Sequence, residues 1–371
     1  MKKLGFGLMR LPLLDANDTT SIDIEQMKEM VDLFLARGFT YFDTAWMYCG
    51  HNSENATGEA LVKRHPRDSF TLADKLHAGF IKTKEDRDRI WDEQRRKTGV
   101  EFFDYYLIHD VNVKHYEIYQ SLDCFNWLRE KKKQGLVKQI GFSFHDSAEM
   151  LEKVLSEQPD MDFVQLQINY LDWDSEGVQS RKCYEVARRH GLPVIVMEPV
   201  KGGTLANLPD PAANLLRSCH PDWSIPSWAI RFAASLDGVM MVLSGMSNMA
   251  QLTDNTDYMA DFTPLDEKEQ ALITRVVGIL NGSSAIPCTG CAYCVEGCPK
   301  KIAIPQYFSL YNNDLKEVAD GWTPQFAYYE TLSESFGKAS DCIACGQCES
   351  ACPQHLPIIE HLKTVAGHFE E

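Results

Sequence analysis

At 371 residues, with 53 Asp/Glu against 37 Lys/Arg and a net charge of −16, the chain is long enough for one large domain plus a small one. Its acidic balance argues against nucleic acid or an anionic membrane surface as a partner. No stretch reaches the roughly eighteen apolar residues of a membrane span, and Met1-Lys2-Lys3 precedes an apolar run too short for a signal core, which together predict a cytoplasmic protein.

Short β-branched or aromatic runs alternate with amphipathic ones along the first 260 residues. Strands are predicted at 5–8, 39–43, 70–74, 105–109, 139–142, 163–167, 194–197 and 240–243. Helical periodicity falls between them at 24–37, 86–97, 118–134, 148–155, 177–190 and 227–234. Gly38, Gly99, Gly135 and Gly191 each stand where a left-handed helix stop precedes the next strand. About eight βα units in about 250 residues is the rhythm of a (β/α)8 TIM barrel. A doubly wound sheet would need a glycine fingerprint after its first strand. Gly5-Phe-Gly-Leu-Met-Arg10 lacks the third glycine and runs into Leu-Pro rather than a helix.

In such a barrel chemistry belongs at the C-terminal ends of the strands. Those ends carry Asp43, Lys75 and His109, with Tyr48 in the loop after Asp43. Singly, each has a bland reading as surface charge, packing or a satisfied core neighbour. Together on successive strands they make a carbonyl-reducing site. Tyr48 would protonate the developing alkoxide, with its pKa pulled below the ordinary value of about 10 by Lys75. Asp43 would orient Lys75, and His109 would polarise or orient the carbonyl.

From Thr263 a helix signal appears, with Thr263 as cap and Pro264 at the first position, ending near Asn281-Gly282. Beyond it lie eight of the twelve cysteines, in two copies of C-x2-C-x2-C-x3-C-P. Cys288, Cys291, Cys294 and Cys298 form the first copy; Cys342, Cys345, Cys348 and Cys352 form the second. In this spacing three close thiolates hold one [4Fe-4S] cluster and the fourth ligates the other. The pattern therefore pairs Cys288, Cys291 and Cys294 with Cys352, and Cys342, Cys345 and Cys348 with Cys298. Zinc has no use for a third close thiol plus a fourth before proline, and thiols one turn apart pair poorly as disulfides. Cys49, Cys124, Cys183 and Cys219 are scattered and read as ordinary reduced or buried residues. The forty-three residues between the two runs include aromatic-rich stretches at 306–311 and 326–332, read as helices packed against the clusters or the barrel rather than as chemistry. The chain thus divides into a barrel at 1–262, a linking helix at 263–282 and a small, mostly helical ferredoxin-like iron-sulfur domain at 283–371.

Phe42-Asp-Thr-Ala-Trp-Met-Tyr48 with Gly50 and Glu54, Ala73-Asp-Lys75, Asp104-Tyr-Tyr-Leu-Ile-His109, Ile140-Gly-Phe-Ser143 and Val164-Gln-Leu-Gln-Ile-Asn-Tyr170 resemble the aldo-keto reductase family over residues 3–260. Met197-Glu-Pro-Val-Lys-Gly-Gly203 and the cysteine tail resemble its iron-sulfur branch. The resemblance implies Asp43, Tyr48, Lys75 and His109 as catalytic residues and a nicotinamide dinucleotide, NADP or NAD, across the barrel mouth. Ser143 and Gln165 match positions that hold the carboxamide; Phe144 stands where many members have Asn, and Met197 where an aromatic commonly stacks on the ring. Ser244, Gly245, Ser247, Gln251, Asp254 and Asn255 match the segment gripping the adenosine end. No Lys or Arg lies between Val242 and Asn255, so Lys201, near Pro199 and Gly202 in the seventh loop, is the cation expected to meet a pyrophosphate or 2′-phosphate. The implied activity is hydride transfer between this cofactor and a small carbonyl or alcohol substrate, with a ferredoxin-type redox protein as a possible partner. The second reading is an electron-transfer module whose barrel only binds a dinucleotide or partner.

Overall fold

Eight parallel strands close into a barrel in sequence order: β1 (Leu4–Gly7), β2 (Tyr41–Asp43), β3 (Thr71–His77), β4 (Phe103–Val111), β5 (Val137–Phe144), β6 (Phe163–Gln167), β7 (Val194–Met197) and β8 (Val239–Gly245). The computed structural model describes residues 2–282, 285–288, 290–317 and 321–370. Ser283, where the sequence places the start of the last domain, lies outside the described residues, as do Met1 and Glu371.

The barrel is filled by Tyr41, Ala73, Leu107, Phe163 and Ile195, one inward residue from each of five strands, with Met241 and Leu243 from β8. Because side chains alternate along a strand, the residues two positions further on share that inward face at the C-terminal end. Those residues are Asp43, Lys75, His109, Gln165, Met197 and Gly245. Two glycines make this interior possible. A Cβ on Gly5 would stand 2.7 Å from Leu243 Cδ2, and one on Gly141 would stand 2.5 Å from the Phe163 carbonyl oxygen.

Several expected boundaries shift. The predicted helix at 118–134 is two helices, Val113–Ser121 and Cys124–Lys133, broken where Asp123 adopts φ +56°. That break brings residues directly after β4 into a helix above the mouth. The predicted helix at 177–190 starts only at Ser180, after Gln179 at φ +56°. The linking helix is capped by Asp266 instead of Thr263: its side chain accepts the Glu269 N–H while the Glu269 side chain accepts that of Asp266. This helix, Glu267–Asn281, buries Leu272, Ile273, Val276 and Leu280 with Leu216 and Trp228 on the flank of the barrel.

The C-terminal region is helical, and the aromatic stretches between the cysteine runs form the helices Ile304–Asp314 and Pro324–Ser335. They share a core with Cys294, Cys348, Cys352 and the helix Ile358–Phe369. Val178, from the loop after β6, enters the same core. Other loops at the strand C-termini also meet this region. Ser175 Oγ lies 3.0 Å from Ser309 Oγ, Asn313 donates to Asp172 at 3.1 Å, and Lys114 pairs with Glu334 at 3.3 Å. The iron-sulfur region therefore sits on the β4-to-β7 side of the barrel mouth.

Candidate functional site

The Lys75 ammonium lies at the centre of the mouth, fully buried, paired with the Asp43 carboxylate. It also donates to the Thr44 carbonyl at 2.8 Å and to the Tyr48 hydroxyl at 3.4 Å. Tyr48 starts a short helical turn after β2, where Cys49 (φ +51°) and Gly50 (φ +58°) take left-handed backbone and fold the loop back over the barrel. The Tyr48 and His109 rings stand edge to face with centroids 6.0 Å apart. All four residues expected from the sequence thus converge.

Their electrostatics differ from expectation in one respect. Burial pushes the Tyr48 phenol above its ordinary pKa and outweighs the opposing pull of Lys75, so the hydroxyl is a firmly protonated donor in the absence of ligand. Burial opposes the charge on Lys75, but Asp43, Tyr48 and Asp74 together outweigh it and the ammonium stays protonated. For His109 burial is again the largest influence, joined by His77 and Lys75, and it holds the imidazole neutral. Its Nδ1 has no hydrogen-bond partner among the described residues.

Around this centre, Ser143 and Gln165 are both buried on adjacent strands in register. Ser143 Oγ accepts the Asp110 N–H at 2.8 Å, and Gln165 Nε2 donates to the Met197 sulfur at 3.5 Å. Gln165 Oε1 is a buried acceptor without a described partner, which suits the amide N–H of a nicotinamide carboxamide. After β8, the Ser247 N–H donates to Gln251 Oε1 at 2.7 Å and Asn255 Nδ2 donates to Ser244 Oγ at 2.9 Å, binding strand end and following helix together.

Two expected contacts are turned to other work. Lys201 is 1% exposed, with both Asp172 oxygens at 3.0 Å and Glu317 at 3.5 Å, so its charge fastens the seventh loop to the iron-sulfur region instead of facing a phosphate. Asp254 accepts from Ser224 at 2.7 Å and serves the packing of its helix. Gly202, at φ +62°, donates its N–H to Glu198 at 2.7 Å. Pro199 is buried in the same loop.

The sequence reading passed over His77 and Asp110, which neighbour His109, and His115, whose ring meets that of His77. Asp110 sits at a register shift in β4 with φ +52°. His77 Nδ1 accepts the Gly79 N–H at 2.9 Å, so its proton is on Nε2, 3.6 Å from the Asp110 carboxylate. His115 Nδ1 lies 2.8 Å from the Asp110 carbonyl and must donate to it. The trio is close enough to embrace an ion, yet both imidazoles present N–H groups rather than lone pairs to Asp110. The two-residue step from Lys75 to His77 was the available signal, since it keeps His77 on the inward face.

The cysteines gather as their spacing requires. Cys288, Cys291, Cys294 and Cys352 line one cavity, while Cys298, Cys342, Cys345 and Cys348 line another. The two copies also repeat their backbone. Gly290 and Ala344 (φ +71° and +55°), Ala292 and Gly346 (+62° and +75°), and Lys301 and His355 (both +52°) are left-handed at equivalent positions. Four thiols around each cavity, with the Ile302 N–H directed at Cys298 Sγ at 3.5 Å, form donor sets that suit a cubane cluster.

The family model for the aldo/keto reductase family matches residues 3–277, and that for a 4Fe-4S dicluster domain matches residues 287–357. No curated protein matches the chain. Among solved structures, the holo form of aldo-keto reductase AKR11C1 from Bacillus halodurans is 22% identical, with a TM-score of 0.58 over 74% of this chain and 91% of that one. An aldo-keto reductase from Klebsiella pneumoniae in complex with NADPH is 18% identical, with a TM-score of 0.57 over 74% and 90%. One from Brucella melitensis is 22% identical, with a TM-score of 0.55 over 74% and 94%. At such identities the likeness shows the shared fold.

Proposed function

The chain belongs to the aldo/keto reductase family and carries a 4Fe-4S dicluster domain, and on that premise we propose that it reduces a small aldehyde or ketone, or runs the reverse reaction, with Tyr48 as proton donor. The observation that carries this reading is the Lys75 ammonium, held by Asp43 and within hydrogen-bond reach of the Tyr48 hydroxyl. A bound nicotinamide cofactor supplies the hydride. Ser143, Gln165 and Met197 hold its ring, and Ser244, Gly245, Ser247, Gln251 and Asn255 hold its adenosine side.

The chain's own groups then manage the proton and the charge. Tyr48, kept protonated by burial, gives its proton to the oxygen that gains charge as the carbonyl is reduced. Lys75 stabilises the phenolate left behind, and Asp43 keeps Lys75 oriented toward it. The neutral His109 imidazole offers an N–H to the same oxygen without competing as an acid.

The eight cysteines hold two [4Fe-4S] clusters in the crossed arrangement their cavities support, and these clusters supply one-electron transfer when present. Cys291 and Cys345 are exposed, which favours exchange with an external redox protein such as a ferredoxin. The acidic tail domain would meet a basic patch on such a partner. If the clusters are the protein's whole business, the barrel is a binding scaffold. Anaerobically purified protein given NADH or NADPH and a carbonyl panel decides between the readings. The wild type should turn over at least one carbonyl, with Tyr48→Phe slower by about a hundredfold or more. Equal rates for the two proteins, or no turnover with any carbonyl, would leave the reductase reading without support.

A further inference from the structure

The helices between the two cysteine runs bury three tyrosines, and two of them use their hydroxyls within the iron-sulfur region. Tyr307 donates to the Gly337 carbonyl at 3.0 Å, and Tyr329 donates to the Glu370 carboxylate. Tyr328 is only 3% exposed, yet its hydroxyl has no hydrogen-bond partner among the described residues. A buried phenol without a partner is uncommon, because its lost hydration goes uncompensated.

The surroundings of Tyr328 place it at the barrel mouth. Its ring meets the His145 imidazole, with centroids 5.7 Å apart. Lys114 and Glu334 hold its helix, Pro324–Ser335, against the helix that follows β4. Burial, joined by Cys183, Asp172, Asp110 and Asp146, keeps the phenol protonated. Those three carboxylates come from the C-terminal end of β4 and the loops after β5 and β6, so the phenol stands among the strand ends.

His145 extends β5 by one residue, its N–H donating to the Val111 carbonyl at 3.1 Å. It lies two residues past Ser143 and therefore shares the inward face. In the same way His77 stands two residues past Lys75, with its ring 5.2 Å from that of His109. His145 is near enough to bear on the protonation of His109, and burial holds both imidazoles neutral. Its Nδ1 is buried without a hydrogen-bond partner among the described residues. Two touching rings, one from each part of the chain, thus each carry an unpartnered polar atom near the imidazole assigned to the carbonyl.

The charge around them selects what they would take. Lys75 and Lys201 are already engaged by Asp43 and Asp172. Despite its burial, the Asp110 carboxyl is held ionised by hydrogen bonds from His115 and His77. A substrate carboxylate in this place would face like charge, whereas a hydroxyl can donate to one neutral ring and accept from the other.

We infer that Tyr328, contributed by the iron-sulfur region, and His145 form a substrate subsite at the barrel mouth that takes a hydroxyl group carried on the same molecule as the reacting carbonyl. The inference rests on the reading of the barrel as a carbonyl reductase. It makes the appended region a determinant of which carbonyl is reduced, apart from any electrons its clusters pass.

The test is steady-state kinetics of the full-length, cluster-loaded protein with carbonyl compounds of matched length that bear a hydroxyl, no second group, or a carboxylate. Wild type should prefer the hydroxylated compound to both others in kcat/KM. In Tyr328→Phe the ratio of kcat/KM for the hydroxylated over the unsubstituted compound should fall by about tenfold or more, and His145→Leu should lower it too. Tyr329→Phe, one residue along and bonded within its own region, should keep the wild-type ratio, which separates a lost contact from a loosened helix. Unchanged visible absorbance of the clusters and an unchanged melting temperature certify the fold of each variant. A ratio that stays unchanged in Tyr328→Phe overturns the inference, as does an equal fall in Tyr329→Phe or a wild type without preference for the hydroxylated compound. A wild type that reduces no carbonyl at all overturns the reductase reading itself and this inference with it, a separate and distinguishable failure.

Discussion

Lys201 and Glu317 meet 3.5 Å apart across the junction of barrel and iron-sulfur region, with side chains 1% and 3% exposed. Asp172, fully buried, completes the group and also accepts from Gln167, Asn169 and Asn313. One ammonium thus compensates two buried carboxylates contributed by both parts of the chain.

Removing that ammonium should therefore destabilise more than an ordinary surface change. Lys201→Met is expected to lose about 3–5 kcal/mol in reversible denaturation of the cluster-loaded protein, because it leaves buried charge uncompensated. Adding Glu317→Gln to Lys201→Met should recover part of the loss. A Lys201→Met protein as stable as wild type would contradict the role assigned to this group.

The electrostatics of the mouth make a prediction about rate. His109 is held neutral by burial, and the Tyr48 pKa is raised, so neither changes charge around neutrality. The kcat/KM for carbonyl reduction should show no ionisation near the ordinary histidine pKa of about 6.5 and should decline only in alkali, above the free phenol value of about 10. A pH-rate profile with a step near 6.5 that disappears in His109→Gln would show that the imidazole is charged in the working enzyme.

His115 gives the opposite case. Burial opposes its charge, but the hydrogen bond to Asp110 and the charge of that carboxylate prevail, and its pKa is raised above the ordinary value. The folded state then holds the proton more tightly than the unfolded chain. The resulting stability is present below the unfolded value of about 6.5 and fades as pH rises through the raised value. The difference in melting temperature between wild type and His115→Gln should accordingly be larger at about pH 6 than at about pH 9. A constant difference across that interval would mean that Asp110 does not stabilise the charged ring.

The arrangement of thiols around the two cavities predicts which cysteine changes act together. Cys288→Ser and Cys352→Ser should each damage the same cluster, so the double variant should retain roughly half the iron, as each single variant does. If each run of four instead held its own cluster, the double variant would lose both. Iron analysis with electron paramagnetic resonance of the reduced proteins separates these outcomes.

Much of the fold was legible because its signals are local. Hydrophobic periodicity, with glycine stops at Gly38, Gly99, Gly135 and Gly191, marked a βα rhythm, and each of those glycines has positive φ. The errors were local too. The break at Asp123 is hard to read because the flanking segments are both amphipathic, and left-handed backbone at a non-glycine residue has no strong compositional sign. Thr263-Pro264 imitated a helix start, whereas reciprocal hydrogen bonds between Asp266 and Glu269 supply the actual one.

By itself the sequence determined the barrel, the convergence of Asp43, Tyr48, Lys75 and His109, and the crossed grouping of the eight cysteines. Strand periodicity and ligand spacing are properties of short segments, and a parallel barrel places every strand end at one mouth. Only the tertiary structure decided the partner of each charge. It gave Lys201 to Asp172 and Glu317, set Tyr328 against His145, and let burial outweigh Lys75 at Tyr48. Coulomb attraction and desolvation depend on distance and burial in space, and residues such as 201 and 317, or 145 and 328, acquire those only when distant segments meet.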